Sequence, residues 1–116
     1  MSTPDELEQQ FWNAVKSDRT MMLGLADVDE GHTRPMTAHV DDDHGPIWFF
    51  GALDSEMAKR LTHPQRATAH FSAKSHELFA VVHGWLQIDN DPVVIDRLWN
   101  RFVAAWYEHG KDDPNL

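Results

Sequence analysis

Two short stretches hold the residues best suited to bind a small molecule. The first is Arg34-Pro35-Met36. The second, a little downstream, runs Ile47-Trp48-Phe49-Phe50-Gly51-Ala52-Leu53-Asp54-Ser55-Glu56-Met57 and on to Leu61. Arg34 offers a planar fork of donors that suits a phosphate and stays charged at any working pH. Ser55 reads as the N-cap of a short amphipathic helix, where its hydroxyl and the backbone N–H groups favour an anion. Trp48, Phe49 and Phe50 offer flat apolar surface. Side chains alternate across a strand, so only Phe49, or else Trp48 and Phe50, can face a ligand. The matching chemistry is a flat aromatic body with an anionic tail. Read singly, each residue also has a plainer role: Arg34 a strand-surface charge, Ser55 a helix cap, the aromatic run a core strand.

These residues must be held by strands and helices, and the pattern supplies both. Pro4 to about Ser17 is an amphipathic helix with Leu7, Phe11, Ala14 and Val15 on one face. Thr3 or Ser2 can cap it, with Glu6 three residues after Thr3. Thr20–Ala26 reads as a buried strand, and Asp29-Glu30-Gly31 as the turn into a second strand over Thr33–Val40. Pro35 points to an edge position or a bulge in that strand. Asp41-Asp42-Asp43-His44-Gly45-Pro46 is a polar loop, and the aromatic strand Ile47–Gly51 follows. The Ser55 helix runs to about Thr62, where His63-Pro64 stops it. Ala67–Ala73 and Leu78–Ile88 are further strands, the latter with Gly84 at a bend. Asp91-Pro92 opens a last helix, with Val93, Ile95, Leu98, Trp99, Phe102, Val103 and Trp106 spaced to about Tyr107, and Gly110 closing it. The order helix, three strands, helix, two strands, helix predicts an antiparallel, barrel-like α+β fold rather than a parallel sheet. No Gly-rich dinucleotide fingerprint occurs.

Bulk composition narrows the function. A chain of 116 residues suits one domain over 1–116. Five tryptophans imply aromatic surface that a second subunit could cover, and the lack of cysteine excludes disulfides and thiolate metal sites. A net charge of −9 argues against nucleic acid as a partner. It also requires that any bound phosphate be held by a local basic group; Arg34, Lys59, Arg60 and Arg66 are the candidates. Neither a signal peptide nor a membrane span is expected, and a cytoplasmic location is the default. Of the eight histidines, His39, His44, His70, His76 and His83 form no tight metal-ligand motif, and the acidic run at Asp41 reads as a solvated turn.

The ordered set of Arg34-Pro35-Met36, Trp48-Phe49-Phe50, the Ser55 helix start, Gly84, Leu98-Trp99-Asn100, Ala105-Trp106-Tyr107 and Gly110-Lys111-Asp112-Asp113-Pro114-Asn115-Leu116 resembles the general stress protein branch of the pyridoxamine 5′-phosphate oxidase-like, FMN-binding split-barrel superfamily. The resemblance implies a six-stranded split barrel with flanking helices that forms a homodimer, with FMN at the dimer interface. It implies that Arg34 and Ser55 hold the FMN phosphate. Pro35, Met36 and Thr37 would pass the ring on the second strand, and backbone groups at Trp48, Phe49 and Phe50 would meet the isoalloxazine edge. Trp106 and Lys111 would reach a partner's site. Two departures stand out. Met57 occupies the place, two residues after the serine, where the family has a cation; Lys59 lies roughly 200° around the helix from it. The family's barrel also continues with a strand beyond Asp112–Leu116, where this chain ends.

The function so implied is an FMN-binding general stress-type protein, a flavin-dependent oxidoreductase of unknown small substrate. No side chain stands out as its acid or base, because the flavin carries the redox chemistry. The alternative is a non-catalytic split-barrel dimer that binds a ligand weakly or has lost flavin binding.

Overall fold

The computed structural model describes residues 3–26, 32–41, 45–99, 110–112 and 114–116. Helix α1 spans Pro4–Asp18. Thr3 caps it, its Oγ accepting from the Glu6 N–H at 3.2 Å, and Pro4 occupies the first turn, where no N–H is needed. Trp12 and Val15 are buried, with Phe11 and Ala14 packed beside them. Leu7, expected on that same face, is exposed, because the helix meets the sheet only from Phe11 onward. Arg19 ends the helix in the left-handed region (φ 62°), its N–H bonded to the Val15 carbonyl.

Five strands follow: β1 Thr20–Leu25, β2 Arg34–His39, β3 Trp48–Phe49, β4 Gln65–Ser72 and β5 Phe79–Leu86. All pair antiparallel in the order β3-β2-β1-β4-β5, giving the expected α+β split-barrel sheet as a curled half-barrel. The sixth strand implied by the resemblance is absent among the described residues, so the sheet stays open between β3 and β5. Alternation is clean. Met21, Leu23 and Leu25 of β1, Ala38 of β2, and Ala67, Ala69 and Phe71 of β4 point inward and form the core with Val15, Met57 and Ala73. Gly24 is required by close approach, since a Cβ there would sit 2.4 Å from the His32 carbonyl oxygen.

Several boundaries differ from the sequence reading. Only Trp48 and Phe49 of the aromatic stretch enter the ladder, opposite His39 and Ala38. Phe50 leaves it, and its ring meets those of His39 (5.2 Å) and Trp99 (5.9 Å) edge-on. Because β3 is so short, β2 has a partner on one side only at Pro35, opposite Met22, which accommodates the missing N–H as an edge position. Register runs unbroken through Gly84, opposite Ala67, so no bulge marks the expected bend. Helix α2 is just Glu56–Lys59. Its last turn tightens, Arg60 N–H bonding to the Met57 carbonyl and Leu61 N–H to that of Ala58, before Pro64 forbids continuation.

Helix α3 spans Pro92–Leu98, with the Asp91 carboxylate accepting from the Val93 N–H at 2.9 Å. The expected helix to Tyr107 does not form as one piece, because Trp99 is extended (ψ 139°). Residues 100–109, Trp106 among them, and the turn at Asp29–Gly31 lie outside the described residues. Val93, expected on the apolar face, is exposed, while Val94, Ile95 and Leu98 face inward. A 3₁₀ turn at Gly110–Asp112 follows.

Candidate functional site

The opening between β3 and β5 forms a cavity of about 380 Å³, within the range that holds small ligands. Leu23, Met36 and Phe49 form its floor, on the inner face of the sheet. Leu86 and the following Gln87–Asn90 wall one side, and Gly51–Leu53 with Ser55 and Met57 wall the other. Val94, Ile95 and Leu98 of α3 lie across it, and Leu116 closes one end. The cavity is therefore assembled from both edges of the half-barrel and the two helices that flank them.

Most of the predicted site residues meet here. Arg34, at the start of β2 opposite Leu23, is half-buried and is the single Lys or Arg of the lining among the described residues. Met36, Trp48, Phe49, Phe50, Ser55 and Met57 also line the cavity, so the expectation that only Phe49, or else Trp48 and Phe50, could face a ligand does not hold: β3 is two residues long and Phe50 lies outside the ladder. Pro35 and Thr37 do not: strand alternation sends them to the outer, exposed face. The Ser55 Oγ accepts from the Ala58 N–H at 3.1 Å, so the serine is a genuine cap. The helix it caps has only four residues, too few for an appreciable macrodipole, so anion attraction must come chiefly from Arg34.

The alternative cations lie elsewhere. Lys59 is exposed and pairs with Glu56 at 3.9 Å. Arg66 stacks over Trp85 on the outer face, 5.9 Å from the ring centroid. Lys111 Nζ donates to the Asp96 carboxylate of α3 at 2.5 Å. Met57 is not an exposed cation replaced by a thioether; it is a core residue, 7 % exposed, whose side chain joins the inner wall.

Arg97 and Asp89 carried no sequence signal, and Trp48 and His39 take parts here that the sequence did not assign. Arg97 of α3 pairs with Asp41 and lies over the Trp48 ring, 5.9 Å from its centroid. Trp48 Nε1 is buried beneath this cover with no hydrogen-bond partner among the described residues. Leaving such a donor unpaired costs about 1–3 kcal/mol. His39 packs against Phe50, and burial, followed by the charge of Arg19, lowers its pKa below the ordinary histidine value. Asp89 is the one Asp or Glu of the lining among the described residues. The result is an apolar slot with one guanidinium and a hidden indole donor. Among the described residues it has no paired acid and base, and it suits a flat ring system with an anionic tail whose chemistry comes from the ligand.

Similar proteins agree with this layout. The family model described as "Pyridoxamine 5′-phosphate oxidase like" matches residues 6–116. A protein assigned to the general stress family from Xanthomonas campestris pv. campestris is 55 % identical, with a TM-score of 0.93 covering 100 % of this chain and 81 % of that one. The general stress FMN/FAD binding protein of Xanthomonas citri is 54 % identical, with a TM-score of 0.90 covering 97 % and 80 %. A protein assigned as general stress protein 26 from Jannaschia sp. CCS1 is 30 % identical, with a TM-score of 0.84 covering 97 % and 71 %. No protein of curated function matches. With a family match across nearly its whole length and general stress relatives at more than half identity, this chain belongs to the pyridoxamine 5′-phosphate oxidase-like family, in its general stress branch.

Proposed function

We propose that the protein binds FMN in the cavity between β3 and β5 and serves as a flavin-dependent oxidoreductase of a small substrate. The observation that carries this reading is the meeting of Arg34, Ser55 and the Trp48–Phe50 aromatics around one apolar cavity. The chain's 54 % identity to a protein named for FMN/FAD binding supports it. Arg34 would hold the phosphate by charge-assisted hydrogen bonds, with the Ser55 loop beside it. Phe49 and Met36 would pack the ring system and exclude water. When bound, the flavin supplies hydride or electron transfer, so the protein needs no acid–base pair of its own.

The working form in this reading is a homodimer in the cytoplasm. The apolar residues of the outer sheet face support the dimer, and among the described residues no helix is long and apolar enough to cross a membrane. Two observations favour the non-catalytic alternative: Met57 is buried, and the acidic Asp54 and Glu56 flank Ser55.

Titration of FMN into the purified protein, followed by quenching of flavin fluorescence, decides between them. Stoichiometric quenching is expected. Replacing Arg34 with Ala should weaken binding by about 1.5–3 kcal/mol, the scale of hydrogen bonds to a charged group. No quenching by the wild-type protein would eliminate the flavin reading, and unchanged affinity in the Arg34→Ala variant would move the phosphate elsewhere.

A further inference from the structure

Of the residues Pro114-Asn115-Leu116, Leu116 closes one end of the cavity, while Asn115 is outside the lining. In the structure they are fastened to the loop that leads into the cavity wall. The Leu53 N–H donates to the Asn115 carbonyl at 2.7 Å, and the Asp54 N–H donates to Asn115 Oδ1 at 3.0 Å. In return Asn115 Nδ2 donates to the Asp54 carboxylate at 3.1 Å, across 61 residues of sequence. Leu116, 9 % exposed, is inserted at the cavity's end.

The loop needs such an anchor. Gly51–Ser55 links a strand of two residues to a helix of four, and neither element is long enough to hold its own conformation. Locally the loop has one turn bond, from the Ser55 N–H to the Ala52 carbonyl. The amide of Asn115 is suited to the anchor because it accepts from a backbone N–H and donates to a carboxylate at the same time. By bonding the Asp54 carboxylate, it also ties down a negative charge adjacent to Ser55.

We propose that Asn115 is a positioning residue for the flavin site: it holds Leu53 and Asp54 so that the loop bearing Ser55 keeps its shape as a cavity wall. The proposal rests on the flavin reading given above. Asn115→Asp keeps the acceptor but loses the donor and sets a carboxylate against Asp54. Asp54→Asn keeps an acceptor for Asn115. The double swap, Asp54→Asn with Asn115→Asp, restores a donor opposite a carboxylate with their roles exchanged.

FMN affinity is measured for all four proteins by fluorescence quenching, with amide hydrogen exchange over residues 51–58 read on the flavin-free proteins and melting temperature as a control. Asn115→Asp is expected to weaken FMN about tenfold and to raise exchange in the loop, the scale of one lost hydrogen bond in binding terms. Asp54→Asn should stay near wild type, and the double swap should recover both affinity and protection. If wild type binds FMN and Asn115→Asp binds it equally well, or the swap fails to rescue, the role of Asn115 is overturned while the flavin reading stands. If wild type binds no FMN, the flavin reading falls and the role goes with it. Loop protection in wild type that is lost in Asn115→Asp then shows the anchor to be structural alone.

Discussion

The two faces of β5 divide its apolar residues in an unusual way. Ala80, Val82, Gly84 and Leu86 point into the half-barrel, while Phe79, Val81, His83 and Trp85 point outward. The larger residues are thus on the solvent side, with Phe79 and Trp85 69 % and 71 % exposed. Inside, small side chains allow the sheet to curl, and near Gly84 an added Cβ would meet nothing within 4 Å. Outside, these residues border the polar outer face of β4, where Arg66 lies over Trp85 and Thr68 hydrogen-bonds His83, and Met22 of β1 is exposed beyond His70. The inner face puts its apolar area into a core and a cavity; the outer face keeps Phe79, Val81 and Trp85 exposed, large apolar residues of the kind that a second subunit can cover. The same strand therefore serves two purposes, and alternation of period two is what separates them.

Three measurements test that division. The largest effect should come from the inner face: Leu25→Ala, at a position 1 % exposed, should cost about 3 kcal/mol in urea unfolding. Val81→Ala on the outer face should change the stability of the isolated protomer by less than about 0.5 kcal/mol. Similar costs at the two positions would mean the outer face is packed within the protomer. Next in size is assembly. Trp85→Glu should shift sedimentation from dimer to monomer with little loss of protomer stability, whereas a wild type that sediments as a monomer at high concentration removes the dimer from the proposed function.

The smallest effect belongs to the cluster beside the cavity, where His39 meets Phe50. Its folded pKa is lowered, by burial first and the Arg19 charge second, from the ordinary 6.5 that the unfolded chain retains. The unfolded state therefore takes up the proton first as pH falls. Stability from this residue is fully present above about 6.5 and declines as pH falls from there through the folded pKa. His39→Phe should flatten that part of the stability curve against pH, and an unchanged slope would assign the effect to another group.

Much of the fold was legible because local signals agreed with it. Thr3 and Pro4, Ser55, and Asp91 with Pro92 mark helix starts by capping chemistry, and each caps a helix in the structure. An apolar run located β1, alternation located β2, and the strands read at Ala67–Ala73 and Leu78–Ile88 match β4 and β5, each to within a few residues. The misreadings share one cause, which is that pattern reports amphipathicity and not how far a neighbour extends. Leu7 has the right spacing, but the sheet does not reach it. Phe50 continues an apolar run yet leaves the ladder for His39 and Trp99. Val93 and Trp99 fit a long helical stripe, but α3 ends at Leu98.

By itself, the sequence determined the kinds of groups present: a guanidinium at Arg34, a serine cap, an aromatic strand, and the antiparallel α+β plan that carries them. Those follow from propensity, capping and period, which act over a few residues. The tertiary structure alone decided which groups share a cavity. It brought Arg34 and Ser55 together, turned Pro35 and Thr37 outward, buried Met57, and left Lys59 and Lys111 in surface ion pairs. It also brought Asn115 to Asp54 and Arg97 to Asp41. Such meetings depend on register and on how the sheet curls, and neither property is carried by any single stretch of chain.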